Sequence, residues 1–177
     1  MDDNIFLRNQ KEPGLEDYMN FEPEGRGNLG GEIPVVVYRL LQYSMRDQLR
    51  ESLGAEMQVE LFRKAGYKAG CFFTESMLDT ALPFHAFIAS LQKKFEEYKI
   101  GVLRIESIDE KNEEIVLTVA EDVGCSGLPL LNEVVCNYEE GFIAGILSAY
   151  TGKSYKAVEV DCWATGDRVC RFHVQVM

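Results

Sequence analysis

Residues 136–172 read CNYEEGFIAGILSAYTGKSYKAVEVDCWATGDRVCRF, a helix followed by two strands. Asn137 can cap the helix with Glu140, three residues on, as its capping-box partner, and Gly152 suits the left-handed position that ends it. Gly141 and Gly145 lie four apart, so one helix face allows close approach of a neighbouring backbone. The stretches 154–162 and 168–176 are short and β-branched, and they read as paired strands. Strand alternation puts Val158, Val160 and Cys162 on one face and Glu159 and Asp161 on the other, while Cys170, Phe172, Val174 and Val176 share a face. With Thr165, Gly166 and Asp167 as the turn, Cys162 and Cys170 stand opposite each other, their Cβ atoms roughly 4.5–5.5 Å apart. Such a pair can share a zinc ion, close as a disulfide, or pack as two small thiols in a core. The spacing leaves all three open.

Upstream, the stretches 100–108 and 113–121, separated by the turn-like DEKN, read as a β-hairpin, and a Gly/Cys/Pro loop joins them to the helix. Before the hairpin the period is helical. Residues 34–54 suit a helix with Pro34 at its first position and Gly54 past its end. A second helix over 56–70 shows Met57, Leu61 and Ala65 on one stripe. A third, from about Thr80 to Tyr98, repeats Phe84, Ile88, Leu91 and Phe95 at spacings of three and four. The order ααα-ββ-α-ββ predicts an α+β fold, an antiparallel sheet with helices on one side. Residues 1–33, dense in Gly, Pro and Asn, read as an irregular N-terminal arm ahead of one domain over 34–177. The arm contains a literal G-x-G-x-x-G from Gly25 to Gly30. An acidic, proline-containing loop precedes it where a dinucleotide site needs a strand, so it reads as a loop.

Eighteen basic residues against 29 acidic ones give a net charge of −11, the wrong sign for gripping a phosphate backbone or an anionic membrane surface. No apolar stretch is long enough to span a bilayer. Aspartates at positions 2 and 3 stand where a secretory leader carries lysine, and the chain is expected to be cytoplasmic. There its five cysteines would be thiols or metal ligands rather than disulfides. Cys136 sits just before a helix N-terminus, which favours a thiolate. Together with Glu159, Cys162 and Cys170 it would make a closed set for zinc. Glu159 and Cys162 point to opposite faces of a regular strand, so their joint ligation requires a bulge between them. Cys125, in GCSG, is a rival fourth ligand free of that constraint, and Cys71 reads as packing.

From about Cys125 to Val174 the chain resembles the 4-vinyl reductase, or hydrocarbon-binding, domain family. The resemblance is carried by Tyr138, Glu140, Gly141 and Phe142, then Gly152 and Lys153, then Cys162, Ala164, Gly166, Asp167, Cys170 and Phe172. It implies a helix-and-sheet fold shared with the sensor domains of aromatic-responsive activators and with transport-particle adaptor subunits, which are often dimeric. In the sensors, zinc is held by a Cys before the helix, a Glu and the two hairpin Cys. These positions fall on Cys136, Glu159, Cys162 and Cys170, and the ion would be structural. The resemblance also implies an apolar pocket for a small aromatic or lipid-like ligand. His85 is the expected polar anchor, with Phe84, Ile88 and Phe73 as lining; the alternative is that these residues are packing. The sensors draw a pocket tryptophan from the first hairpin, but here the only tryptophan is Trp163.

Three functions compete. The first is a small-molecule sensor domain with structural zinc, acting through a partner or as a homodimer. The second is a vinyl-group reductase or accessory factor of tetrapyrrole metabolism, against which stands the lack of any nicotinamide, flavin or cluster motif. The third is a dimeric adaptor.

Overall fold

The computed structural model describes residues 12–19 and 31–177. The chain divides into two compact units, Met1–Glu32 and Ile33–Met177. The described part of the first unit holds one short helix, α1 (Leu15–Met19), whose start is bound by Asp17, which accepts from Gly14 N at 2.7 Å. The G-x-G-x-x-G at 25–30 lies outside the described residues.

The second unit runs α2 (Val35–Leu53), α3 (Ala55–Met77), α4 (Phe84–Glu97), β1 (Val102–Asp109), β2 (Glu114–Ala120), α5 (Asn137–Thr151), β3 (Tyr155–Asp161) and β4 (Cys170–Val176). The four strands form one antiparallel sheet in the order β1-β2-β4-β3, so the second hairpin adds to the first through β4. The fold is α+β, as the element order predicts. On β4, Cys170, Phe172 and Val174 face a continuous core, which they share with Leu117 and Val119 of β2, Phe87 and Phe95 of α4, and Ile146 of α5.

α3 and α5 lie together along a glycine seam. A Cβ at Gly66 or Gly70 would collide with the carbonyls of Tyr138 or Phe142, and one at Gly141 or Gly145 with those of Arg63 or Tyr67. The close approach expected of Gly141 and Gly145 is therefore met by two further glycines on α3. This seam corrects the reading of α3. Its buried stripe is Gln58, Phe62, Gly66, Gly70, Phe73 and Thr74, while Met57 and Ala65 are exposed. The helix also continues past Gly70 to Met77, because Gly70 is spent on packing rather than termination.

Smaller corrections concern helix ends and one strand. Pro34 precedes the first turn of α2 instead of occupying it, and α4 begins at Phe84, with 80–83 in a turn. α5 starts after Cys136, and Asn137 makes no capping box; its amide donates to Glu140 at 3.3 Å and its oxygen accepts from Arg46 at 3.3 Å. Gly152 ends the helix in the left-handed conformation, φ 73°. On β3 the expected faces are exchanged: Glu159 is buried and Val160 exposed. A register shift between Glu159 and Asp161 then turns Cys162 inward as well. This is the bulge that simultaneous inward placement of Glu159 and Cys162 requires.

Candidate metal centre

Four cysteines from four different places converge. Cys125 comes from the loop after β2, Cys136 from the residue before α5, Cys162 from the end of β3 and Cys170 from the start of β4. All four are fully buried and none is in a disulfide. Cys125 Sγ and Cys170 Sγ are 3.1 Å apart, Cys136 and Cys170 3.6 Å, and Cys136 and Cys162 3.8 Å, with all four sulfurs within 4.8 Å of one another. Tetrahedral zinc with bonds of about 2.3 Å to sulfur has S···S edges of about 3.8 Å. The cluster therefore has the dimensions of a closed four-sulfur site.

Local chemistry places each thiol. Asp122 Oδ1 accepts from Gly124 N at 2.7 Å and from Cys125 N at 3.1 Å, a turn that presents Cys125. Cys162 opens a 3₁₀ turn over Trp163–Thr165, in which Thr165 Oγ1 accepts from Cys162 N at 3.1 Å. The loop ahead of α5 is stitched to this turn: Leu131 N and Asn132 N both donate to Ala164 O, and Trp163 Nε1 donates to Leu128 O at 3.0 Å. α2 holds both cysteine-bearing loops from the other side. Arg39 donates to the carbonyls of Val123 and Ser126, Tyr43 to that of Gly124, and Arg46 to that of Val135.

Glu159 is beside the cluster, with its Oε2 accepting from Cys136 N at 3.1 Å and its Oε1 without a protein partner. Burial, reinforced by neighbouring Cys162, pushes its carboxyl up to about 8. Glu140 ties three elements together. It forms two hydrogen bonds with Arg63 of α3, at 2.5 and 3.0 Å, and accepts from Glu159 N at 2.9 Å. The expected set thus comes together as Cys136, Cys162 and Cys170 with Cys125, while Glu159 braces the backbone of Cys136.

Protein groups alone leave the charge of the cluster unbalanced. Hydrogen bonds from Cys125, Cys136 and Cys170 pull Cys162 far below the ordinary thiol range, and the same contacts drive Cys136 and Cys170 far above it. One negative charge is all four packed sulfurs can carry unaided; a bound divalent cation would ionise the whole set. The donor set is soft and sulfur-rich, which suits zinc. Asp122 and Glu139, both buried nearby, are also raised, chiefly by loss of solvent, Asp122 to about 6. Sequence reasoning misses Asp122, Glu139 and the three α2 side chains. Only Asp122, three residues before Cys125, carries a local signal, that of an Asx turn.

The residues expected to line a ligand pocket are dispersed. His85 is exposed on the first turn of α4, its ring edge-on to Phe84 at 6.2 Å. Phe84 is half-buried near Tyr150, and Phe73 packs against Phe142 at 5.3 Å. Ile88 does line a cavity, one of about 10 Å³ between α4, the sheet and α5, together with Leu91, Phe95, Leu103, Ile143 and Ile146. Every residue around it is aliphatic or Phe. Among the described residues no helix is long and apolar enough to cross a membrane.

Residues 115–176 match the family model of the 4-vinyl reductase domain. Two proteins of Methanocaldococcus jannaschii are similar along most of their length. The uncharacterized protein MJ1642 is 28% identical over 149 residues, 84% of this chain and 81% of the relative. The uncharacterized protein MJ0150 is 24% identical over 174 residues, 98% and 93% of the two chains. Three solved structures share the fold. The phenol-responsive sensory domain of the transcription activator PoxR, with phenol, has a TM-score of 0.61 at 17% identity, covering 83% of this chain and 78% of that one. A vinyl-4-reductase family protein from Methanocaldococcus jannaschii has a TM-score of 0.59 at 19% identity, covering 84% and 85%. A trafficking protein particle complex subunit 3 from Naegleria fowleri, covalently bound to palmitic acid, has a TM-score of 0.64 at 17% identity, covering 81% and 95%.

Proposed function

We propose that this chain, with its 4-vinyl reductase domain over residues 115–176, is a sensor-like binding module that carries one structural zinc and takes an apolar small molecule or acyl chain. The cavity beneath α4 carries this reading, because its lining offers hydrocarbon and no hydrogen-bond partner. PoxR's sensory domain binds phenol and the trafficking subunit carries palmitic acid, so the fold accepts both kinds of guest. Here the lining favours the second, since a buried phenol hydroxyl without a partner costs roughly 1–3 kcal/mol. At about 10 Å³ the cavity holds little more than a water, so a ligand enters only as α4 moves off the sheet.

Zinc would be held by Cys125, Cys136, Cys162 and Cys170, with Glu159 fixing the backbone of Cys136 rather than ligating. Four protein ligands leave no position for an activated water, which favours a clip over a catalytic metal. The clip would close the β3–β4 turn onto the start of α5. The functional body is the single domain over 34–177, with 1–33 an appended arm, working in a reducing, cytoplasmic setting and passing its signal to another protein chain, a second copy included.

Native mass spectrometry of protein purified without added metal tests the zinc, and thermal shift with palmitic acid and with phenol tests the ligand class. One zinc per chain and stabilisation by palmitic acid alone are expected. A metal-free chain overturns the clip, and stabilisation by phenol alone overturns the apolar site.

A further inference from the structure

The outer face of α2 is the largest apolar surface without a partner among the described residues. Val36, Val37, Leu40, Leu41 and Met45 recur at spacings of three and four and are 57, 48, 67, 65 and 53% exposed, and Ile33 just before the helix is 60% exposed. Their open area comes to roughly 700 Å², above the ~300–600 Å² of the largest patch on an ordinary monomer and near the ~800 Å² each partner gives to a standard interface.

Charge narrows the occupant. The chain carries −11, yet no acidic residue occurs between Glu32 and Asp47. The two cations in that span, Arg39 and Arg46, are turned inward onto loop carbonyls. Two copies of so acidic a chain repel at distance, and they can meet only where the touching surface is free of like charge. A basic partner would instead want an acidic rim, which this face lacks. A straight apolar helix stripe is also self-complementary about a two-fold axis crossing it, as an isologous contact requires.

The opposite face of the same helix reaches the cysteine centre. Arg39, Tyr43 and Arg46 hold the carbonyls of Val123, Gly124, Ser126 and Val135, which flank Cys125 and Cys136. Whatever orders those two loops also seats α2.

We infer that the outward stripe of α2 is the docking surface for a second copy of this chain, and that the cysteine centre, through Arg39, Tyr43 and Arg46, holds that stripe in place. The second half rests on the zinc reading above. Metal binding and self-association are then linked, and by thermodynamic necessity each strengthens the other.

Sedimentation velocity of the full chain across a concentration series, with zinc content measured on the same samples, tests this. The zinc-loaded wild type is expected to be a dimer. Leu40→Glu with Leu41→Glu places two charges on each copy and should raise the dissociation constant at least about a hundredfold, by like-charge repulsion of several kcal/mol. Zinc content and far-UV dichroism should stay at wild-type values, because both side chains are exposed. Chelation of zinc should weaken the wild-type dimer about tenfold or more. A monomeric wild type, including one that dimerises only after residues 1–30 are removed, overturns the surface, as does a double variant that remains dimeric. A dimer indifferent to chelation overturns the coupling. A wild type that lacks zinc yet dissociates on the double substitution overturns the zinc reading while supporting the surface.

Discussion

Around Cys162 and Cys170, position is set by directed bonds: carbonyls to Arg39, Tyr43 and Arg46, backbone amides to Asp122 and Glu159, and sulfur to sulfur. Between α4 and the sheet it is set by shape alone, with Leu91, Phe95, Leu103 and Ile146 meeting around a small void. α5 serves both regions, its first turn bearing on the cysteines and its middle on the void. The difference is one of tolerance. A directed site fails when one partner is lost, because the others are left buried and unpaired. An aliphatic site loses stability in proportion to the volume removed and can accept a foreign hydrocarbon in exchange.

Removing the cation is the harshest way to break this contrast. Cys162→Ala or Cys170→Ala should lower stability by several kcal/mol, on the scale of structural zinc sites, and abolish zinc binding. Thermal melting with and without chelator reads this; if both variants melt like wild type and keep their metal, the centre is not a clip. Next in size is the seam through which α5 joins α3. Gly145→Ala drives a Cβ into the Tyr67 carbonyl, a backbone atom with no rotamer to yield. A loss of about 3 kcal/mol, the upper end of overpacking costs, is expected in urea unfolding. A change under about 1 kcal/mol would show that the helices slide apart freely.

The same contrast explains what is legible in the sequence. α5 and the second hairpin carry punctuation, with Gly152 past the helix and cysteines at the strand ends, and both lie where expected. Alternation misplaces the faces of β3 because it takes apolar residues as inward. Glu159 instead occupies the core, its buried carboxyl bonded to Cys136 N, and the bulge after it resets the face. The stripe of α3 escapes for a related reason. Its contact with α5 needs missing side chains at Gly66 and Gly70, and a search for apolar side chains at helical spacing passes over absences. Cys125 joins the centre through an Asx turn over four residues, too local a feature to outweigh a family pattern naming Glu159. The pocket is least legible, since Ile88 and Phe73 sit on similar apolar stripes and only tertiary packing decides which faces the void.

A graded test of the apolar region is Ile146→Ala, which enlarges that void. The expected loss is about 2–4 kcal/mol, with part of it restored by benzene or a short alkane. Loss without rescue would mean that the region collapses rather than opening, and the proposed ligand site would lose its support.

The smallest expected effect separates the two regions most cleanly. His85 resembles a polar anchor in sequence, set among Leu82, Pro83, Phe84 and Phe87, but its ring lies in solvent on the first turn of α4, away from the aliphatic void. His85→Ala should change unfolding stability by less than about 0.5 kcal/mol, as surface substitutions generally do, and leave palmitic acid stabilisation as it was. A ligand bound through hydrocarbon contact has nothing to gain from an imidazole outside the lining. If the substitution instead removes stabilisation by a ligand, α4 must turn on binding to bring its first residues inward. The region beneath it would then be a directed site like the cysteine end, assembled only when occupied.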